Sequence, residues 1–479
     1  MQSQPAVISG QLATGKTSDT VILIMHGEFS PLGNPEFLPA FEQTIISSGG
    51  RFSFATPPLE GPVRVNFYVN TERITTHNIL RSDSALINYY VEPGDRIQVT
   101  GKPGAYHFSG KGAAKWQYEW EVDSILHLFA SRRKEYADNK AGFNHIRFNT
   151  DRMNGQRQLL DRYKGRISET MDFIYRANLR TGAYGHYYTS VRAGLRGDSD
   201  RVRQAQQLYE QYLTNISVDT ASSALLLLSF YPEFLLLKEE TDAAYALSLG
   251  RLPAPGIYQR ISSRYSGTLR DKLLLMSLDR EVSRSEVTDS SFAWLLDMVE
   301  TPRYRKRLEA LMASFVSGKP VVDFAFRDRE NKVVRLSDFK GKVIFLDMWF
   351  TGCGGCVAVA KALPEVEEAF KDRTDVVFVS LSVDLKREEW LPSVDGNRKL
   401  NQGTTKAYTH YTTPSTIYLY TAGTGSANDF IRQYVPGAAF PHLLLVGKDG
   451  NLFSASPPNP AHPDGKEQLI ALIRQALGS

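Results

Sequence analysis

Cysteine is almost absent: a chain of 479 residues contains two. No disulfide framework can hold such a chain together, and none reports its compartment. The histidines, nine in all, include no His-x3–5-His pair, so the usual zinc-ligand spacing is missing as well. Long apolar runs are missing too. Nothing reaches the roughly 18 apolar residues that a membrane helix needs. The richest run, Ala224 to Leu237, is interrupted at Tyr231-Pro232-Glu233 and reads as a pair of core helices. Blocks of like charge are lacking. The net charge is +4 and no Lys/Arg block stands out, which is weak evidence for a polyanionic partner, and no nucleic-acid partner is expected. No signal peptide is visible, because Met1-Gln-Ser-Gln-Pro leads directly into strand-like sequence. The protein is therefore expected to be either cytosolic or a processed form whose targeting segment has been removed.

What is present is an ordinary globular composition over a length suited to about three domains. Residues 1–112 read as all-β. Val21 to Met25 is strand-like, Arg51 to Thr56 and Val63 to Val69 alternate, and Asn88 to Glu92 and Arg96 to Thr100 flank a Pro93-Gly94-Asp95 turn. Short strands between Gly/Pro turns suggest a small sandwich. Residues 113–318 read as mostly helical, with Tyr118, Val122, Ile125 and Phe129 at helical spacing. The Gly-, Tyr- and Arg-rich stretch from Tyr184 to Arg203 reads as a loop between helices, whose aromatics either pack in the core or line a peptide groove. Ser317-Gly318-Lys319-Pro320 marks a boundary. Residues 319–479 then read as α/β. A helix is expected over Val357 to Lys371, a central strand over Val376 to Val383, and a long insertion with a crossover helix over 385–438. An antiparallel pair and a final helix over Lys466 to Leu477 follow.

Both cysteines lie in Val343-Ile-Phe-Leu-Asp-Met-Trp-Phe-Thr-Gly-Cys-Gly-Gly-Cys356, an apolar strand running into a helix. A two-residue spacing at a helix start brings two sulfurs within disulfide reach. The helix N-terminus stabilises a thiolate, which makes Cys353 the candidate nucleophile and Cys356 the resolving thiol. Two other readings of the pair are half of a zinc site, which would need two further ligands, and an inert structural disulfide.

The stretch Lys342 to Cys356 resembles the thioredoxin superfamily, and more closely its TlpA/ResA-like members. The likeness extends over Asp323-Phe324, Val333 to Val343, Ser380-Leu-Ser-Val-Asp384 with Trp390, and Phe440-Pro441-His442 to Val446 with Lys448-Asp449-Gly450. Val91 to Ile97 and Phe108 to Gly112 resemble the N-terminal β domain of multidomain TlpA-like proteins. The resemblance implies an N-terminal all-β sandwich (1–112), a central α-helical domain (113–318) and a C-terminal α/β thioredoxin-like fold (319–479). It makes Asp347 a buried acid that accepts the proton of the second thiol. It also makes Pro441 a cis-proline opposite the motif, Phe440 a backbone partner for substrate, and Trp349 a platform under the site. The sequence departs from the family in placing Gly352 before Cys353 and Gly354-Gly355 between the cysteines. The nearest kinking proline is Pro364, and His442 beside Pro441 is unusual. His442 either influences the thiolate or is simply solvated or packed.

The function implied is thiol–disulfide exchange, with reduction the favoured direction and no cofactor besides the Cys353–Cys356 pair. The expected partners are protein thiols and disulfides and a membrane or periplasmic electron donor. The implied location is the periplasm or the outer face of a membrane. A scaffold in which the β and helical regions bind a partner is the alternative. A thiol peroxidase is a third reading, disfavoured because Leu346 and Phe350 stand where that chemistry needs Pro and Thr.

Overall fold

The structure is a computed structural model. It describes residues 3–26, 39–70, 85–138, 142–143, 145–214, 216–218, 226, 230–247, 254–283, 286–394, 413, 415–435 and 439–478. The chain forms two compact units, Met1–Leu273 and Leu274–Ser479.

The first unit opens with β1 (Val7–Leu12), β2 (Ser18–His26), β3 (Pro39–Ser48), β4 (Arg51–Ala55), β5 (Val63–Val69), β6 (Ala85–Val91), β7 (Arg96–Lys102) and β8 (Ala105–Lys111). Among the described residues these form one sheet in the order β6-β5-β2-β3-β4-β1-β7-β8. Alternate residues of β4 and β7 are buried, as the period of a half-buried strand requires. The sheet curls on itself. Tyr89 on β6 and Phe108 on β8, at opposite ends of the strand order, have ring centroids 6.2 Å apart. Both rings pack on Trp116, at 5.0 and 5.8 Å.

Trp116 belongs to α1 (Ala113–Ser131), which opens the helical middle. A short pair, β9 (Ala137–Asp138) and β10 (Gly142–Phe143), is followed by α2 (His145–Asp161), α3 (Glu169–Gly194), α4 (Ser199–Tyr212), α5 (Phe230–Ala246), α6 (Ala254–Arg264) and α7 (Gly267–Ser283). The loop expected from Tyr184 to Arg203 is not there: α3 runs through Gly194, and α4 begins at Ser199. A Cβ on Gly182 or Gly185 would meet nothing within 4 Å, so these glycines sit on an open face. Tyr187, Tyr188, Val191 and Leu195 are buried at helical spacing. Their burial outweighs a glycine penalty of about 1 kcal/mol each. Tyr231-Pro232-Glu233 is likewise the first turn of α5 and not a break between helices. A proline there removes no intrahelical hydrogen bond. Most of the first half of that apolar run lies outside the described residues.

The second unit contains α8 (Asp289–Met298), α9 (Pro302–Phe315), β11 (Ala325–Arg327), β12 (Val333–Arg335), β13 (Val343–Trp349) and α10 (Gly354–Glu368). They are followed by β14 (Val376–Ser382), α11 (Arg387–Val394), β15 (Thr416–Tyr420), α12 (Asp429–Tyr434), β16 (His442–Val446), β17 (Leu452–Ser454) and α13 (Gly465–Gly478). The sheet order among the described residues is β12-β11-β15-β14-β13-β16-β17. β13, β14 and β15 are parallel, and β16 runs against β13. β15 is a core strand inside the insertion, where only a helix and loops were expected; 395–412 lies outside the described residues. One face of β13 and β16 carries Val343, Phe345, Leu443 and Leu445 against Val359 and Leu363 of α10 and Leu469 and Ile473 of α13. On the opposite face, His442 packs against Phe315 of α9, 6.4 Å between ring centroids.

The segment entering this sheet is itself hydrogen-bonded. Gly318 N–H donates to Leu452 O at 2.7 Å, Leu452 N–H to Lys319 O at 2.8 Å, and Val321 N–H to Gly450 O at 3.1 Å.

Candidate active site

The site is built at the C-terminal end of β13, where the central strand hands the chain to α10. Gly352 takes φ 101°, a left-handed turn that favours glycine. Cys353 follows as the N-cap of α10, and its Sγ accepts the Cys356 N–H at 3.1 Å. The helix therefore starts three residues before the expected Val357, because the sulfur itself caps it. Pro364 lies within α10. Cys353 and Cys356 are joined as a disulfide with Cα atoms 5.3 Å apart. Cys353 keeps 6% of its surface exposed and Cys356 none. Only the first sulfur is placed to meet another molecule.

Beneath the motif, Trp349, Cys353, Cys356, Val357, Trp390, Val394, Tyr418 and Tyr420 form one core cluster, with Phe350 and Phe440 packed at its margin. Trp390 stacks on Tyr420 at 5.2 Å. The Phe350 and Phe440 rings meet edge to face at 5.6 Å, and both remain partly exposed.

Asp347 lies on β13 opposite Leu443 of β16, on the face that carries α10. It is 5% exposed, and its Oδ1 has no hydrogen-bond partner among the described residues. Burial disfavours the charged form and pushes its pKa from 3.8 up to about 7. A carboxyl poised there can take a proton from a thiol near neutral pH.

The Phe440–Pro441 peptide is cis. The backbone of Gly355 approaches it closely: a Cβ on Gly355 would stand 3.1 Å from Pro441 Cδ. A side chain at 355 would therefore press on the proline ring, which gives the glycine between the cysteines a steric reason. Pro441 and Leu443 also line a cavity of about 290 Å³ together with Ser456, Pro457, His462 and Gln468.

The structure thus brings together Cys353, Cys356 and Trp349, with Phe440 at their margin and Pro441 beside Gly355; Asp347 shares the α10 face of β13. His442 is not part of this group. It pairs with Met348 across β13 and faces α9, fully buried, with neither ring nitrogen hydrogen-bonded among the described residues. Burial holds its pKa down to about 4, so it is a packed neutral imidazole. Sequence reasoning missed Thr351 and Ser393, and assigned no role to Asp384, although that residue was visible in the Ser380 to Asp384 segment. Asp384 accepts hydrogen bonds from Thr351 in the turn before Cys353.

Residues 316–401 match the Redoxin family model. The thiol–disulfide oxidoreductase ResA of Bacillus thuringiensis is 34% identical over 67 residues, 14% of this chain and 38% of that protein. The chain thus spans well under half of the curated relatives it matches. Among solved structures, the thioredoxin domain of a thiol-disulfide oxidoreductase from Bacteroides vulgatus aligns at 20% identity and TM-score 0.26, covering 33% of this chain and 96% of that one. A thiol:disulfide interchange protein from a Bacteroides species aligns at 20% identity and TM-score 0.26, covering 35% and 93%. With the CxxC turn, the cis-proline and the strand order already in place, the C-terminal region of this chain has a thioredoxin-like fold, and residues 316–401 of it match the Redoxin family.

Proposed function

We propose that the protein is a thiol–disulfide oxidoreductase acting on extracytoplasmic protein disulfides. One observation carries this: the Cys353–Cys356 disulfide closes across the first turn of α10, with the outer sulfur at the helix N-cap. In the reduced protein the Cys353 thiolate attacks one sulfur of a substrate disulfide. A mixed disulfide forms, and the departing substrate thiolate takes up a proton from water. Asp347 accepts the Cys356 proton, and the Cys356 thiolate attacks Cys353 Sγ. The second substrate thiol leaves, two electrons have passed to the substrate, and the protein disulfide is restored. An external dithiol donor returns the two electrons.

In this proposal Cys353, Cys356 and Asp347 are the catalytic residues, and Trp349, Phe440 and Pro441 shape the substrate site. The Phe440 backbone pairs with an extended substrate segment, and the cavity beside Pro441 takes a side chain near the substrate cysteine. No cofactor is needed beyond the cysteine pair. The electron donor is a membrane or periplasmic dithiol protein, and the chain works in the periplasm or at the outer face of a membrane. Among the described residues, no helix is long and apolar enough to cross a membrane.

The proposed domain reading is an N-terminal β domain over 1–112, a helical domain over 113–318 and a thioredoxin-like domain over 319–479. The first sheet, a single one that curls round Trp116, supports an N-terminal β domain but is barrel-like where two stacked sheets were expected. The test of function is reduction of a protein disulfide by the full chain with a dithiol donor. Turnover is expected, and Cys353→Ser is expected to abolish it. Full activity of that variant would refute the mechanism.

A further inference from the structure

Parallel pairing of β13 with β14 ends at Trp349 and Ser382, and Val383 N–H adds one last bond to Trp349 O at 2.9 Å. Beyond that point a side chain continues what the backbone has stopped doing. Asp384 Oδ1 accepts the Thr351 N–H at 3.0 Å, and Oδ2 accepts the Thr351 hydroxyl at 2.7 Å. Oδ2 also accepts the Ser382 hydroxyl at 2.7 Å, while the Asp384 N–H donates to Ser382 Oγ at 3.0 Å. The Thr351 hydroxyl lies 2.9 Å from Ser393 Oγ on α11. Asp384 is 8% exposed, so water does not compete for these bonds. The residue after Thr351 is Gly352, whose left-handed turn brings the Cys353 N–H to Phe350 O at 3.2 Å. Where Thr351 stands therefore decides where Cys353 Sγ stands relative to the Cys356 N–H.

We infer that Asp384 is a positioning residue for Cys353: it holds Thr351 by backbone and side chain, and so fixes the turn that sets the sulfur at the α10 N-terminus. The inference rests on the proposal that Cys353 is the attacking thiol. Asp384 touches no reacting atom. Its charge works against its geometry, since a nearby anion disfavours a thiolate while a well-placed N-cap favours it. Substituting Thr351 separates the two effects, because it removes the hydroxyl's bonds to Asp384 and Ser393 and leaves the charge. A hydrogen bond to a charged group contributes about 1.5–3 kcal/mol, on the order of a tenfold change or more in a rate that depends on it.

The experiment is the pH dependence of Cys353 alkylation by iodoacetamide in the reduced full chain, read by peptide mass, together with the rate of exchange with a small disulfide. Thr351→Val is expected to move the thiolate titration to higher pH and to slow both reactions at pH 7 about tenfold. Thr351→Ser, which keeps the hydroxyl, is expected to restore them. Asp384→Asn is expected to slow exchange, and combined with Thr351→Val to slow it no further than the slower single variant, because the two residues act as a unit. A Thr351→Val protein that melts earlier but titrates and reacts like wild type would overturn the inference while leaving the attacking thiol in place. Additive effects of Asp384→Asn and Thr351→Val would also overturn it. Wild-type Cys353 reacting no faster than a free thiol with pKa about 8.5 would remove the attacking-thiol proposal and this inference together.

Discussion

Asp347→Asn tests the buried acid through stability before it tests it through chemistry. Burial raises this carboxyl from 3.8 to about 7, so the folded chain keeps a proton that the unfolded chain has lost between those values. Stability contributed by the protonated acid is thus lost as pH rises from about 4 to 7 and stays lost above 7. At 1.36 kcal/mol per pH unit, the native ionised form costs about 4 kcal/mol. Asn keeps the shape and does not titrate. The variant should match wild type near pH 4 and exceed it by up to about 4 kcal/mol at pH 8.

His442 bends the same curve the other way. Its pKa falls from 6.5 to about 4, so the unfolded chain binds a proton that the folded chain refuses, and stability is lost as pH falls through that window. This amounts to about 3 kcal/mol. In wild type the two slopes oppose each other between about pH 4 and 6.5, and Asp347→Asn should leave the His442 slope exposed. The assay is urea unfolding of the oxidised full chain, read by pulsed hydrogen exchange in peptides from β13 and β14, at pH 4.5, 5.5, 6.5 and 8. An equal stability difference between variant and wild type at every pH would refute the reasoning. The same variant should accumulate mixed disulfide, since loss of a general base slows proton transfer by about 10²-fold or more.

The remaining predictions concern the turn and its surroundings. Cys356→Ser should trap a covalent mixed disulfide with substrate, seen by non-reducing electrophoresis; release at the wild-type rate would contradict its role as resolving thiol. Gly352→Ala should destabilise the oxidised form by about 1 kcal/mol or more from backbone conformation alone, because a Cβ there meets nothing within 4 Å. Gly355→Ala differs: it gains helix propensity of about 1 kcal/mol but presses on Pro441, so exchange with a protein substrate should slow while exchange with a small disulfide changes little. His442→Leu removes an imidazole buried without hydrogen bonds and should stabilise the fold by about 1 kcal/mol at pH 7, measured by thermal unfolding.

The redox turn was legible because its signal is local. An apolar strand, two cysteines at fixed spacing and a helix follow one another without interruption. Asp347 and Pro441 could be singled out by distance from that motif and by resemblance. The hold of Asp384 on Thr351 was not legible, since it links polar side chains 33 residues apart across two strand ends. β15 went unread although Thr416-Ile-Tyr-Leu-Tyr420 is rich in strand formers, because it lies in a stretch crowded with turn residues. The helix through Tyr184 was hidden by its glycines, which look like loop until the buried tyrosines on the other face are known. In the first sheet, alternation revealed β4, β5 and β7. It did not reveal that β1 joins β7 in parallel and carries the sheet round to β8.

The three hydrogen bonds that tie 318–321 to Gly450 and to Leu452 of β17 have a consequence for the border of the sheet. Without them β17 would offer a row of free backbone donors and acceptors, a template on which another extended chain can dock. The incoming segment occupies that row before any stranger can. At the far border stands β12, only three residues long, with a charged residue at Arg335. Both borders of the sheet are thereby shielded from pairing edge to edge with another extended chain. A version of the protein cut just before Phe324 would keep its cysteines and lose that shield.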